Sequence, residues 1–222
     1  MLVYNDAVKQ FKFHCRYMAF IDGDEFIYPK NDCNIVEVVD EILSHDNNAA
    51  GLIINWQTFG SNGHETADYS RGVLERFTRR AEDDPTIEEL TMNMHAKTIA
   101  NPRRVSLVDN PHSVKCFSNY HIINESGNIV EGPYNKPSLA KKIAVNHYHR
   151  KSWEEFLLKV SRGCADGNTK FVDDPDILKK ESFDLIDEND VFDDGILHYR
   201  AAREKIFSLE TNEQRFARVT DA

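Results

Sequence analysis

Apolar residues in the stretch NIVEVVDEILSHD recur at Ile35, Val38, Val39, Ile42 and Leu43, the spacing of one helical face. Asn34 is placed to cap that helix and Glu37 follows three residues later, the pattern of a capping box. The same logic predicts a helix in SWEEFLLKVSRG, where Ser152 and Glu155 form the box, Trp153, Phe156, Leu157 and Val160 share a face, and Gly163 can end the helix. Residues 6–15 predict a third helix capped by Asp6, and ILHYRAAREKIFSLE a closing one. Two segments read instead as buried strands: the apolar run MAFI, which leads straight into DGDEF, and residues 51–59, GLIINWQTF, which are rich in β-branched and aromatic residues.

A polar, glycine-containing loop follows that second strand, and residues 71–80 suit a strand or a helix equally. EDDPTIEEL reads as a turn leading into a short helix. Between Lys97 and Val145, the runs KTIA, RRVSLV, VKCFSNYHII and NIVEG predict short strands separated by Asn, Pro and Gly. Residues 165–195 hold eleven acidic side chains against three lysines, the composition of a solvated acidic loop. The expected fold class is therefore α/β, a mixed sheet flanked by helices. Residues 1–165 would form the main domain, and 166–222 the acidic loop region with the closing helix.

Composition narrows the classes of function. The 222 residues are 41% hydrophobic, enough for a buried core, and the formal charge of −10 opposes a role in coating nucleic acid or anionic membrane. Asp6, Lys9, Gln10 and Lys12 interrupt the apolar residues at the start, and no run approaches the ~18 apolar residues of a spanning helix. The expected location is the cytoplasm, with peripheral association at the inner face of the membrane open to the protein through a partner. Cys15, Cys33, Cys116 and Cys164 lie far apart, without zinc-site spacing, and read as reduced thiols.

The pair Asp22 and Asp24, separated by one glycine at the end of an apolar run, can bring two carboxylates to one hard cation, Mn²⁺ or Mg²⁺. DGD is also a common turn sequence. A calcium-binding EF-hand loop is excluded, because Ile27 stands where glycine is required and Cys33 where the bidentate glutamate belongs.

The string YMAFIDGDEFIYP resembles the D-x-D region of glycosyltransferase family 92 and related bacterial family-2-like enzymes, which adopt the GT-A fold. NWQTFGSNGH, HAKTIANPRRV followed by PHSVKC, and NHYHRKSWEEFLLKVSRG resemble the same family in the same order, over about residues 15–165. The resemblance implies a metal-dependent transfer of sugar from a nucleotide-sugar donor to a glycan acceptor, in polysaccharide or cell-surface glycan assembly. Asp22 and Asp24 would bridge Mn²⁺ or Mg²⁺ to the donor diphosphate, with His147, and after it His149, completing the metal shell. Lys97, Arg103 and Arg104 are candidates for phosphate contact.

Trp56, Phe59 and His64 would shape the acceptor site, and Glu65, Glu75 and Asp68 are candidates for the general base of an inverting transfer. His112 matches a family histidine without an evident role. Only 21 residues precede Asp22, too few for the nucleotide-binding βαβ unit of a GT-A domain, so a domain incomplete at its N-terminus is expected. A non-catalytic carbohydrate-binding module is the competing expectation. A phosphohydrolase fits less well, because Glu25-Phe26 follows the pair in place of small hydroxyl residues.

Overall fold

The computed structural model describes residues 1–30, 34–83, 91–138, 140–163 and 176–199. Its elements in chain order are α1 (Leu2–Phe11), β1 (Met18–Ala19), β2 (Glu25–Pro29), α2 (Ile35–Leu43), β3 (Ala49–Thr58), α3 (Val73–Arg76), β4 (Arg79–Arg80), β5 (Ala96–Ala100), β6 (Val105–Leu107), β7 (Lys115–Cys116), β8 (His121–Ile123), β9 (Ile143–His147), α4 (Trp153–Arg162), α5 (Lys180–Leu185) and β10 (Val191–Phe192). The mixed α/β class holds.

Every residue of β3 is buried, as expected for a strand covered on both faces. On one side β3 pairs antiparallel with β5, which pairs with β1. Gly51 permits that close approach, because a Cβ there would meet the Ile99 carbonyl oxygen at 2.4 Å. The other side of β3 is forked. Its first half pairs parallel with β8 and its last residues pair parallel with β9, to which β2 is antiparallel.

Asn55 sits in the fork. Its Nδ2 donates to the carbonyls of Asn93 and Asn135, each at 3.0 Å, while Asn135 Nδ2 donates to Asn55 Oδ1 at 2.6 Å and Asn124 Nδ2 to Asn135 Oδ1 at 3.0 Å. All three asparagines are buried. The amide chain supplies polar partners where strand pairing lapses.

Helix α2 has the predicted capping box, and its Val38, Val39 and Ile42 pack on Leu52, Ile54 and Trp56 of β3. Ala50 and Ile53 face the opposite layer with Ala96 and Ile122. Helix α4 also has its predicted box, and Gly163 ends it at φ 72°. Phe156 and Val160 of α4 pack with Phe183 of α5, while Arg76 and Glu155 form a two-pronged ion pair at 2.7 and 3.0 Å.

Several expectations need correction. Helix α1 begins at Leu2, and Asp6 lies inside it, accepting from Gln10 Nε2 at 2.6 Å, since an i,i+4 acceptor competes with a capping role. MAFI yields a two-residue edge strand, and its Ile21 is exposed. Residues 71–80 contain both a short helix and a strand.

The acidic stretch, where described, is docked at some positions, while Asp176, Glu181, Asp184, Asp190 and Asp194 are exposed as expected. Asp187 accepts from the Ser61 amide at 2.7 Å and from its hydroxyl, Asn189 Oδ1 accepts from the Asn62 amide at 2.8 Å, and Asp193 accepts from Arg80 Nε at 2.9 Å. Strand β10 pairs with β4, and a Cβ on Gly60 would strike the Glu188 carbonyl at 2.3 Å. The turn-helix expected at EDDPTIEEL and most of the closing helix fall outside the described residues. So do Cys33 and Cys164, while Cys15 and Cys116 are free thiols.

Truncating Asn135 to alanine would remove its hydrogen bond to the buried Asn55 Oδ1 and take away the acceptor of the buried Asn124 Nδ2. A loss of about 3 kcal/mol in urea-unfolding free energy is expected; a variant as stable as the parent would show that the fork does not depend on the amide chain.

Candidate functional site

The turn joining β1 to β2 carries Asp22 and Asp24 across the end of the sheet where β3 and β9 finish, with Glu25 opposite His147 and His147 opposite Thr58. Crevices outside the carboxyl ends of strands are where open α/β sheets bind ligands.

Two clusters hold the turn. In the first, Lys97 Nζ lies 2.9 Å from Asp22 Oδ2 and 3.3 Å from Glu25 Oε2, and Glu25 Oε2 accepts from the Asp22 amide at 2.9 Å. Lys97 and Glu25 are buried, whereas the Asp22 side chain is 53% exposed. Burial pushes the Glu25 carboxyl above the usual range despite the Asp22 amide and Lys97.

In the second cluster, Asp24 Oδ2 accepts from Lys159 Nζ at 3.2 Å, and Asp24 Oδ1 lies 3.7 Å from His147 Nε2. Burial opposes ionisation of Asp24, but the Lys159 ammonium beside it outweighs burial and holds the carboxyl below its usual range. Burial also drives His147 down, so its imidazole is neutral at physiological pH, the form that ligates metals.

Behind these side chains stands a wall of aromatic rings. Trp56 stacks on His95 with centroids 4.9 Å apart, tilts against His147 at 4.1 Å and meets the edge of His112 at 5.3 Å. His149 lies 4.9 Å from His147, and neither of its ring nitrogens has a hydrogen-bond partner among the described residues.

The model of glycosyltransferase family 92 matches residues 1–186, most of the chain. The chain belongs to glycosyltransferase family 92. A family 92 protein from Ricinus communis is 24% identical over 153 residues, covering 68% of this chain and 24% of that protein. The chain thus spans about a quarter of the length of this curated relative. The family match ends at residue 186 and so takes in α5.

Within this family 92 chain, Asp22 meets Lys97, Asp24 faces His147, and His112 and His149 lie in the aromatic wall around Trp56 and His147. Trp56 joins them, but its ring is enclosed between histidines and 6% exposed, so it presents no open face to a sugar. Phe59 is fully buried, stacked on Tyr148 at 4.5 Å beside Phe77, and is a core residue rather than an acceptor platform. His64 is exposed, with Nε2 3.2 Å from the Arg76 carbonyl, and its own carbonyl accepts from the Trp153 amide. Glu65 is exposed and its carbonyl accepts from the Glu154 amide.

Glu75 accepts from the Gly72 amide at 2.9 Å, which makes it a helix cap, and Asp68 accepts from Ser70. Arg104 donates to the carbonyls of Asn47 and Ala49 at the start of β3, the end of the sheet away from the acidic turn. Arg103 is exposed beside it, so neither arginine joins the site. Glu25, His95 and Lys159 went unrecognised in the sequence. Lys159 has the weakest signal, since a lysine in the polar half of an amphipathic helix looks like any solvated one.

Burial lowers the His95 pKa from its ordinary value near 6.5, so the unfolded chain binds the proton more readily. The stability this histidine contributes is therefore present above about pH 6.5 and is lost as pH falls toward the folded value, by up to about 1.4 kcal/mol per pH unit. His95→Phe, which keeps the stack on Trp56, is expected to flatten the slope of unfolding free energy between neutral pH and pH ~5.5; an identical slope in the variant would contradict the assignment.

Proposed function

We propose that the domain transfers a sugar from a nucleotide-sugar donor to a glycan acceptor through a GT-A-like site, in polysaccharide or cell-surface glycan assembly. The observation that carries this reading is the meeting of Asp24, His147 and Lys159 beside Asp22 and Lys97 at the carboxyl ends of β3 and β9. That chemistry, together with family membership, supports the reading of donor, acceptor and site residues.

The donor set suits Mn²⁺ or Mg²⁺. Asp24 and Asp22 offer hard oxygen and His147 a neutral imidazole nitrogen with a buried approach. Among the described residues no three His, Cys, Asp or Glu side chains form a metal centre by themselves. The expected trio Asp22, Asp24 and His147 is thus not brought together as a ready shell; an ion of this class is commonly held by one or two carboxylates, with substrate phosphates completing its shell. When bound, the ion would offset charge on the departing nucleoside diphosphate.

The chain's own residues do the rest. Glu25 and Lys97 hold the turn so that Asp22 keeps an accessible carboxylate, and Lys159 balances Asp24 and stands ready to meet phosphate oxygen. The aromatic wall fixes the ring plane of His147. Of the carboxylates considered for acceptor activation, Glu65 is favoured as general base, being exposed on the loop after β3, whereas Glu75 caps α3. His64 belongs to the same loop and would border the acceptor.

Titration calorimetry of Mn²⁺ with uridine diphosphate on the full chain tests the reading. Asp24→Ala and His147→Ala should each weaken metal-dependent nucleotide binding by about tenfold or more. If both variants bind Mn²⁺ and nucleotide as the parent does, this turn is not the donor site.

A further inference from the structure

A cavity of about 390 Å³ opens beside α4, lined by Tyr69, His149, Arg150, Lys151, Lys159 and Arg162 among others. Four cations on one small surface run against the average of a chain whose formal charge is −10. The acid in this lining, Glu155, is already engaged by Arg76 at 2.7 Å. Lys159 is matched by Asp24. Among the described residues no ion pair reaches Arg150, Lys151 or Arg162, and Arg162 Nε donates to the Leu158 carbonyl at 3.2 Å. Arg150 Nε and both ring nitrogens of His149 are buried without hydrogen-bond partners. Asp187 and Glu188 act on Arg150 from beyond ion-pair distance and leave its Nε without an acceptor; buried donors of this kind normally have one, so an anion in the cavity is the complement.

Position and shape narrow the ligand. Lys159 lines the cavity and contacts Asp24, so the cavity adjoins the acidic turn without containing it. Tyr69, 72% exposed, brings a ring from the loop after β3 to its rim. The volume lies in the range of small-molecule sites and exceeds what a lone phosphate needs. An aromatic rim over guanidinium groups suits a sugar ring that bears a carboxylate.

We infer that this groove binds a uronate residue of an anionic acceptor glycan, with Arg150 and Arg162 as its carboxylate-recognising residues. The word acceptor rests on the transfer reading above; recognition of the anionic sugar does not.

Calorimetric titration of the full chain with tetragalacturonate and with neutral maltotetraose tests this. Tetragalacturonate should bind about tenfold more tightly than maltotetraose, and less tightly at high salt. Arg150→Gln/Arg162→Gln should remove that preference while Mn²⁺–uridine diphosphate binding, which reports that the variant is folded, stays unchanged. Arg150→Lys/Arg162→Lys, which keeps the charge, should retain the salt-dependent part. Equal affinity for the two sugars, or no binding of tetragalacturonate, would overturn the inference. So would a double Gln variant that loses nucleotide but still prefers tetragalacturonate, since the arginines would then serve the donor. Uronate binding by a chain that never binds Mn²⁺ and nucleotide would leave this inference standing and remove the donor reading.

Discussion

An ammonium group withdrawn from water must be matched by carboxylate, and Lys97, placed mid-strand on β5 with a buried side chain, imposes that requirement at the end of the sheet. The match comes from Asp22 on the turn between two strands at opposite edges, and from Glu25 at the start of the second of them. The chain must therefore cross the ends of β3 and β9 to satisfy one lysine. That crossing delivers Asp24 to His147 and Lys159. The acidic turn is thus held from below by the sheet and from the side by α4, and its exposed member, Asp22, is tethered at one oxygen alone.

Much of this arrangement could be read from residues in order. The capping boxes at Asn34 and Ser152 are local, self-contained patterns, so α2 and α4 start where the sequence says. Strand β3 was legible because burial on both faces selects β-branched and aromatic residues along it, with the polar Asn55, Gln57 and Thr58 buried among them. The acidic pair and His147 were legible through family motifs. What escaped depends on distance along the chain. Phe59 and Trp56 look like sugar platforms in one dimension, and whether an aromatic ring faces solvent is decided by Tyr148 or His95, far away in sequence. Glu75 has the form of a free acid until the amide three residues before it claims the carboxylate.

The acidic stretch shows the same limit from another side. Net charge suggests solvation, yet Asp187 and Asp193 are hydrogen-bond acceptors for Ser61 and Arg80, and Phe183 is a core residue. A count of charges cannot tell an acid that repels its neighbours from one that serves a buried amide. The sheet's amide chain behaves likewise: Asn55 sits inside a strand and Asn124 and Asn135 among the punctuation between short strands, while together they fill the fork at β3.

The docking of residues 187–189 on the loop after β3 also has a temporal meaning. Ser61 and its partner Asp187 are separated by 126 positions, so the loop emerges from the ribosome long before the residue that fixes it. Contacts of such long range carry a large closure cost and are expected to form late. Until then Gly60 and its neighbours border the nascent site without their clamp, and the order of synthesis leaves the region next to the acidic turn among the last to settle.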